Sequence, residues 1–564
     1  MEKIAEQLRK IIKTRFEIDT MPLITISADE HGDFSTNVAM QIAGEVGKSP
    51  RAVAEEIING LADNFSRDIK LEVAGPGFIN FTLVARDLHS QLVAGWSSGY
   101  GDNKDGEGKT AVVEYPSPNI AKPYSVGHLR SGNQGWAARN LMLASGWKVI
   151  TDNHIGDYGA PFGIWVTGFR KFSSDEQLKN GGVYELGRVY ITMKAELAKE
   201  KERGEDELAK EVQGWLLKLE EGDAEARSYF DRFNEISLAH IHEIMARLGI
   251  STEYEMGETF FVQPGKKAVN DLLVKGIAEK NDDDSVIVRL DDFGIKTPLL
   301  VQKSNGAALY ATTDLATLLW RNENWHPDKA IYSVGAEQKF YFEQLVALAQ
   351  KIGIKYEIFH LWFGTIDQIG EDGKREKMSS RKGVILMEEL LDEAEKRARQ
   401  NAKGEDISDD DIRKIALGAI KFTDFSKDRR TNSLFDWDSM FSLTGFSGPY
   451  VQYAAVRINK ILKDNPTNGE TKDYDFEPER DVIKKLLEYP DVIRKATDTV
   501  EPHRVALYAY ELARIMNRYY EKTPVATDSV DMNTKIARLS LLEKIGQVFE
   551  HSLAILGIEI PGKM

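Results

Sequence analysis

The first strong pattern along the chain is a change of hydrophobic period. Thr110-Ala111-Val112-Val113-Glu114-Tyr115 is a near-continuous apolar run of the kind a strand buried on both faces needs. A Pro-containing loop follows, and from near Gly127 the spacing turns helical. Trp147-Lys148-Val149-Ile150-Thr151 is a second strand, so residues 109 to about 170 read as a β-α-β unit. Val286 to Gln302 is strand-like, Asn305-Gly306 is a turn, and Leu309 to Trp320 reads as a strand end running into a helix. Ala330-Ile331-Tyr332-Ser333-Val334 is another strand, with a helix over Gln338 to Ile352 behind it. This alternation predicts α/β architecture with a parallel, doubly wound sheet. Upstream lies a small α/β module: a turn at His31-Gly32-Asp33-Phe34-Ser35-Thr36-Asn37 enters a helix near Val38, Ser49 caps a helix with Pro50 at its first position, and Lys70 to Leu83 alternates as strands. Leu186 to Ile250 is mostly helical, and its charge-dense run Lys194 to Glu211 reads as a solvated face. From about Ser408 the strand signal vanishes and amphipathic helices continue to the C-terminus, as in a separate bundle. The boundaries expected are 1–107, 108–405 with a helical insertion at about 186–250, and 406–564.

Composition narrows the function. At 564 residues there is room for three or four domains of ~150 residues each. No apolar run approaches the ~20 residues of a membrane span, and the polar N-terminus lacks a secretory core, so a cytoplasmic protein without a membrane partner is expected. The chain has 0 Cys, which removes disulfides, thiolate metal sites and cysteine nucleophiles together. A net charge of −16 argues against nonspecific nucleic-acid binding but leaves room for a specific RNA partner met by a segregated basic face. His240 and His242 lie two apart and face different sides of a helix, a poor ligand pair; no structural metal is expected.

The chemistry concentrates in Ser117-Pro118-Asn119-Ile120-Ala121-Lys122-Pro123-Tyr124-Ser125-Val126-Gly127-His128-Leu129-Arg130-Ser131. Strand, tight loop and helix N-terminus together hold nucleotide phosphates. Glycine at 127 lets a nucleotide lie close to the backbone, and His128 can donate to phosphate. Gly106-Glu107-Gly108-Lys109-Thr110 ends like a phosphate-binding P-loop, but Asn103 stands where the first glycine belongs and the segment precedes a strand. The long segment resembles the first signature of class I aminoacyl-tRNA synthetases, with Ser125 where that signature usually has His. Pro-Asn-x-Ala-Lys-Pro ahead of Val-Gly-His-Leu-Arg-Ser is similar to the arginyl-tRNA synthetases in particular. Glu376-Lys377-Met378-Ser379-Ser380-Arg381-Lys382-Gly383 is similar to the second class I signature, with Ser380 in place of its second lysine and Arg381 and Lys382 adjacent. A cationic loop of this kind can swing over a triphosphate and stabilise the leaving diphosphate. The resemblance implies ATP as substrate, accompanied by Mg2+. Pro118, Gly127, His128, Lys377, Met378, Ser379 and Ser380 would bind it, and His128, Lys377, Ser125, Gly127, Lys122 and Lys382 would serve the chemistry.

An arginine side chain is a planar cation with five donors, so fixed carboxylates are its natural partners. Glu114 ends the first strand and Asp314 lies in Leu309-Tyr310-Ala311-Thr312-Thr313-Asp314-Leu315-Ala316; at the C-terminal ends of parallel strands both would face the ligand crevice. Tyr310 shares a face with Asp314 if this segment is helical. The stretch is similar to an arginyl-enzyme block, as is Gly335-Ala336-Glu337-Gln338-Lys339, where that family often has His at the position of Tyr341. The resemblance implies Glu114, Tyr310 and Asp314 on the guanidinium, and Asn119 and Gln338 on the amino-acid head group. His154-Ile155-Gly156-Asp157 is similar to a further family block, with His154 or Asp157 bordering the ATP or the acceptor end.

Resemblance extends over nearly the whole chain. It implies a tRNA-contacting module at the N-terminus, including Asn37, and a helical anticodon-binding domain at the C-terminus. There Trp437, Tyr450, Tyr453 and Arg457 are candidate RNA contacts, since splayed bases stack on aromatics; each aromatic has a packing role as its alternative. The expected reaction joins L-arginine, ATP and tRNA(Arg) in a monomeric ligase. Two alternatives stand at this point: a class I synthetase for another amino acid, and a noncatalytic tRNA-binding relative suggested by Ser125 and Ser380.

Overall fold

The computed structural model describes residues 2–27, 32–61, 69–369, 374–378, 385–402, 406–466, 469, 471 and 473–564. The chain forms two compact units, one of residues 1–102, 454–492 and 508–551, the other of residues 103–453, 493–507 and 552–564.

The first unit joins the N-terminal module to most of the C-terminal helices. Its sheet is antiparallel, in the spatial order Thr25–Ile26, Phe34–Thr36, Phe78–Leu83, Ile69–Ala74. Asp33, 2% exposed, accepts from the single nitrogen Nη1 of Arg480 on both carboxylate oxygens, at 2.9 and 3.0 Å, and also takes the Leu83 N–H at 2.8 Å. The turn that reads as a helix entry in the sequence is thus also a fastening point.

The second unit is built on four parallel strands in the order Glu357–His360, Lys329–Tyr332, Thr110–Glu114, Lys148–Asp152. The chain leaves Thr110–Glu114 towards one neighbour and later returns on its other side. The carboxyl ends of Thr110–Glu114 and Lys329–Tyr332 therefore form a topological switch point, where such sheets bind ligands. The helix Leu129–Ala144 packs tightly on this sheet; a Cβ at Gly135 would strike the Tyr115 ring. Helices Asp175–Glu202, Glu207–Glu220 and Ala224–Arg247 fill the stretch expected to be helical.

Three expectations need correction. Val286 to Gln302 does not join the parallel sheet; Val286–Leu290 and Ile295–Gln302 form an antiparallel pair, because a short turn at 291–294 reverses the chain. Strand structure does not end at Ser408: Ser433–Phe435 pairs in parallel with Ile366–Ile369. Three residues joined to a distant partner carry too little alternation to be seen locally. Asp314 is not at a strand end; it sits one turn into the helix Tyr310–Asn324. No described helix is long and apolar enough to cross a membrane.

Candidate active site

A cleft of about 1040 Å³ opens over the switch point. Glu114, Asn119, Ser125, Gly127, His128, Tyr310, Asp314, Gln338 and Met378 all line it, residues spread over more than two hundred positions of sequence. Pro118 and Lys122 do not. Pro118 is buried and its carbonyl accepts from the Gly156 N–H at 3.1 Å, while the Lys122 ammonium stands over the Tyr190 ring at 4.7 Å.

The phosphate end is built from the loop after Glu114. Ser117 and Ala121 hold left-handed backbone (φ 54° and 53°), an arrangement that persists only where surroundings enforce it. The helix Ala224–Arg247 supplies part of that enforcement: Ser237 Oγ accepts from the Ala121 N–H at 2.8 Å and His240 Nε2 from the Tyr124 N–H at 3.1 Å. His240 is therefore a loop support. Ser131 and Ser333 exchange hydroxyl-to-carbonyl bonds, tying the signature helix to the end of Lys329–Tyr332.

His128 closes a short 3₁₀ turn, Val126–His128, that leads into the helix. The Ser125 N–H donates to His128 Nδ1 at 3.3 Å, and Ser125 Oγ lies at the same distance. A backbone N–H can only donate, so Nδ1 is the acceptor and the neutral ring carries its proton on Nε2. Burial pushes this imidazole down to about 4, so the ring is neutral at physiological pH. Gly127 is exposed to the cleft, and a Cβ there would meet only Ser125 Oγ at 3.4 Å. The protein itself leaves room for a side chain at 127.

The second signature reaches the same place. Lys377 is in a strand paired with Asp367, and the Met378 N–H donates to the Ile366 carbonyl at 3.0 Å. On the far side, the Ile385 carbonyl accepts from the Val126 N–H at 3.1 Å. Ser379, Ser380, Arg381 and Lys382 lie outside the described residues; of the flanking residues, Ile385 is bonded to the first signature and Met378 lines the cleft.

The other end of the cleft is acidic. Tyr310, Asp314, Thr317 and Arg321 follow one another at helical spacing on one face of Tyr310–Asn324. Tyr310 stands 62% exposed at the mouth, and Arg321 lies 1% exposed behind the cleft lining. The Tyr341 hydroxyl donates to Asp314 Oδ2. Burial raises Asp314 to about 6 and Glu258 to about 8, since neither has a cation bonded to it among the described residues. His154 lines the same end, 3.9 Å from Asp152 Oδ2. Burial alone would lower it, but Asp152 and Glu114 outweigh that and raise it to about 9. Glu114 Oε2 accepts from Arg321 Nη2 at 2.7 Å, and the same nitrogen donates to Asp152 Oδ2 at 2.6 Å.

Glu114, Asp152 and His154 offer ligand atoms within 4.8 Å of one another. The Arg321 guanidinium already bridges the two carboxylates, so the cluster does not suit a metal ion.

Sequence reasoning missed Glu258, His154 as part of the acidic end, and Arg321. Glu258 opens the helix Glu258–Val274, where an acid favours the helix dipole and reads as ordinary. Tyr341 did carry a signal, as the departure from a family-like block; it falls on the pocket carboxylate. Of the RNA candidates, Asn37 stands at the N-terminal boundary of the helix Val38–Val46 without a side-chain capping bond, and its Oδ1 accepts from Gln41 Nε2 at 3.1 Å. Trp437 packs half-buried on a core cluster with the Arg397 guanidinium 4.8 Å from its ring centre. Arg457 stands 3.9 Å over the Tyr520 ring, Tyr450 is half-buried, and Tyr453 is 41% exposed.

Three family models match the chain. They are tRNA synthetases class I (R), catalytic domain, over residues 90–437; DALR anticodon binding domain over 451–564; and arginyl tRNA synthetase N terminal domain over 2–83. The chain is 34% identical to the arginine–tRNA ligase of Streptococcus thermophilus, covering 100% of this chain and 99% of that one. It is also 34% identical to the corresponding ligase of Lactococcus lactis subsp. cremoris over 93% of each. Among solved structures, arginyl-tRNA synthetase from Thermus thermophilus superposes with a TM-score of 0.82 at 21% identity, covering 100% of this chain and 99% of that one. The Plasmodium falciparum enzyme gives 0.80 at 21% identity, covering 100% and 98%. At that identity the superpositions speak for the fold.

Proposed function

The chain belongs to the arginyl-tRNA synthetase family, and from that premise we propose that it activates L-arginine with ATP and transfers it to the 3′ end of tRNA(Arg). The observation that carries the amino-acid assignment is the acidic end of the cleft. Asp314, half-buried, and Glu258, buried, are carboxyl groups without a bonded cation among the described residues, next to Tyr310 and Tyr341. A guanidinium supplies both the missing charge and donors in a planar fork. Glu114 completes the set, while Asn119 and Gln338 at the cleft wall serve the amino and carboxylate groups.

In the first step an arginine carboxylate oxygen bonds to the α-phosphorus of ATP, and the bond from that phosphorus to the bridging oxygen breaks. The products are arginyl-adenylate and diphosphate. The work of the protein is positioning and charge stabilisation. His128 donates from Nε2 to the reacting phosphate, Ser125 holds the ring through Nδ1, and Gly127 leaves room for the nucleotide. Lys377, with Lys382, neutralises the phosphates; Pro118 shapes the loop, Lys122 holds it through the Tyr190 ring, and Met378, Ser379 and Ser380 cover the nucleotide. Mg2+ would accompany ATP as part of the substrate and offset the charge of its phosphates. In the second step the 2′-hydroxyl of the terminal ribose attacks the adenylate carbonyl, giving arginyl-tRNA and AMP.

Residues 1–107 serve as the tRNA-contacting module, 108–405 as the catalytic domain and 406–564 as the anticodon-binding domain. Asn37, Trp437, Tyr450, Tyr453 and Arg457 are the proposed RNA contacts. The enzyme acts as a cytoplasmic monomer. The test is ATP–diphosphate exchange with each of the twenty amino acids, tRNA present. Arginine alone should support it; exchange driven best by a neutral amino acid would sink the assignment, and no exchange at all would favour a noncatalytic binder.

A further inference from the structure

The charge at the bottom of the cleft is already partly spent. Glu114 and Asp152 are register partners at the ends of adjacent parallel strands, so their carboxylates are forced together. Arg321 answers both from one nitrogen, at 2.7 and 2.6 Å, with side chains 1% exposed for Arg321 and 0% for Asp152. The bond to Glu114 uses Oε2 alone. Glu114 lines the cleft, and its other oxygen has no partner among the described residues. Arg321 does not line the cleft. Its Nε and Nη1 have no hydrogen-bond partner among the described residues, and its guanidinium lies 5.3 Å from the centre of the Tyr332 ring. A buried guanidinium with two unused donors is costly unless its placement does something else. It also stands on the same helical face as Asp314, seven residues further on, or ~10 Å at 1.5 Å per residue.

We propose that Arg321 is a positioning residue for amino-acid selection: an internal guanidinium that closes Asp152 to the substrate and locks Glu114 with one oxygen turned into the cleft. The substrate guanidinium then meets one half of Glu114 together with Asp314, and a second cation below it sets how deep it can go. This inference rests on the arginine reading of the site.

The test is arginine-dependent ATP–diphosphate exchange with tRNA present, on the full chain, on Arg321→Ala and on the double variant Arg321→Met/Asp152→Asn. The double variant removes one charge of each sign, which protects folding if the single variant fails. Both should raise the arginine KM at least ~10-fold, as for a mispositioned charged hydrogen bond, with the ATP KM unchanged. Guanidinium chloride at low millimolar concentration should compete with arginine in the parent enzyme but lower the arginine KM of Arg321→Ala by filling the vacated place. A merely structural arginine would not reverse that sign. An arginine KM within twofold of the parent in the folded variants, or plain inhibition of Arg321→Ala by guanidinium, overturns the proposal. If the parent shows no arginine-dependent exchange, the arginine reading itself has failed and this inference falls with it.

Discussion

Replacing Asp314 by Asn should weaken substrate binding and strengthen the fold at the same time. The two shapes match, and an Asn Oδ1 can still accept the Tyr341 hydroxyl, so the cleft wall persists. What disappears is one negative charge. A hydrogen bond to a charged group contributes about 1.5–3 kcal/mol, which corresponds to an arginine KM raised roughly 10- to 100-fold, with kcat changed far less. Stability moves the other way. Asp314 is raised from its ordinary 3.8 to about 6 by burial, so its ionised form is a burden on the folded state. The folded site binds its proton more tightly than the unfolded chain does, and stability is lost as pH rises through 6. Two pH units at ~1.4 kcal/mol each place the burden at up to ~3 kcal/mol at pH 7, less to the extent that cleft water reaches the carboxylate. The Asn variant should therefore melt higher than the parent at pH 7 and equally at pH 4. The assays are exchange kinetics against arginine concentration and thermal unfolding at both pH values. An unchanged KM removes Asp314 from the pocket; a lower melting temperature at pH 7 refutes the electrostatic account.

His128→Ala should slow adenylate formation by roughly 100-fold or more with little change in arginine KM, read by single-turnover chemistry, because a transition-state donor is lost. Asp424→Ala should cost about 3–5 kcal/mol in denaturant unfolding, since Arg130 (2% exposed) loses its carboxylate at 2.7 Å. Arginine affinity should rise with pH between about 5.5 and 8.5, because the cation prefers ionised carboxylates and these free groups titrate near 6 and 8. Glu258→Gln should flatten the upper half of that profile, as isothermal titration across pH would report.

The parts of this site legible in the sequence are those whose chemistry is written in consecutive residues. Gly127 and His128 come one loop after a strand and lead into a helix, and that loop needs its own composition to turn. Asn119 and Glu114 belong to the same short segment. The parallel sheet was legible because strands buried on both faces are nearly all apolar. Asp314 was found as a residue but placed at a strand end, since Leu309-Tyr310-Ala311 has strand-like content and only tertiary packing commits it to a helix. The strand Ser433–Phe435 was invisible for the opposite reason: its partner lies in Ile366–Ile369.

The harder limit concerns which carboxylate answers which cation. Glu114 reads as a substrate ligand because it ends a strand at a switch point, and that argument is sound. It takes no account of Arg321, which is 207 residues away in the chain and arrives on a helix whose sequence spacing gives no hint of the meeting. Composition records acids and bases, but pairing is decided by register, here Glu114 against Asp152 on one side and Tyr332 on the other. A strand shifted by two residues would keep every motif and lose the bridge. The charge available to a ligand is therefore what internal pairing leaves over. In this cleft the remainder is Asp314 and half of Glu114, with Glu258 a carboxyl group that a bound cation would ionise, a remainder suited to a cation. It is this remainder, more than the presence of any one acid, that argues for an amino acid with a guanidinium.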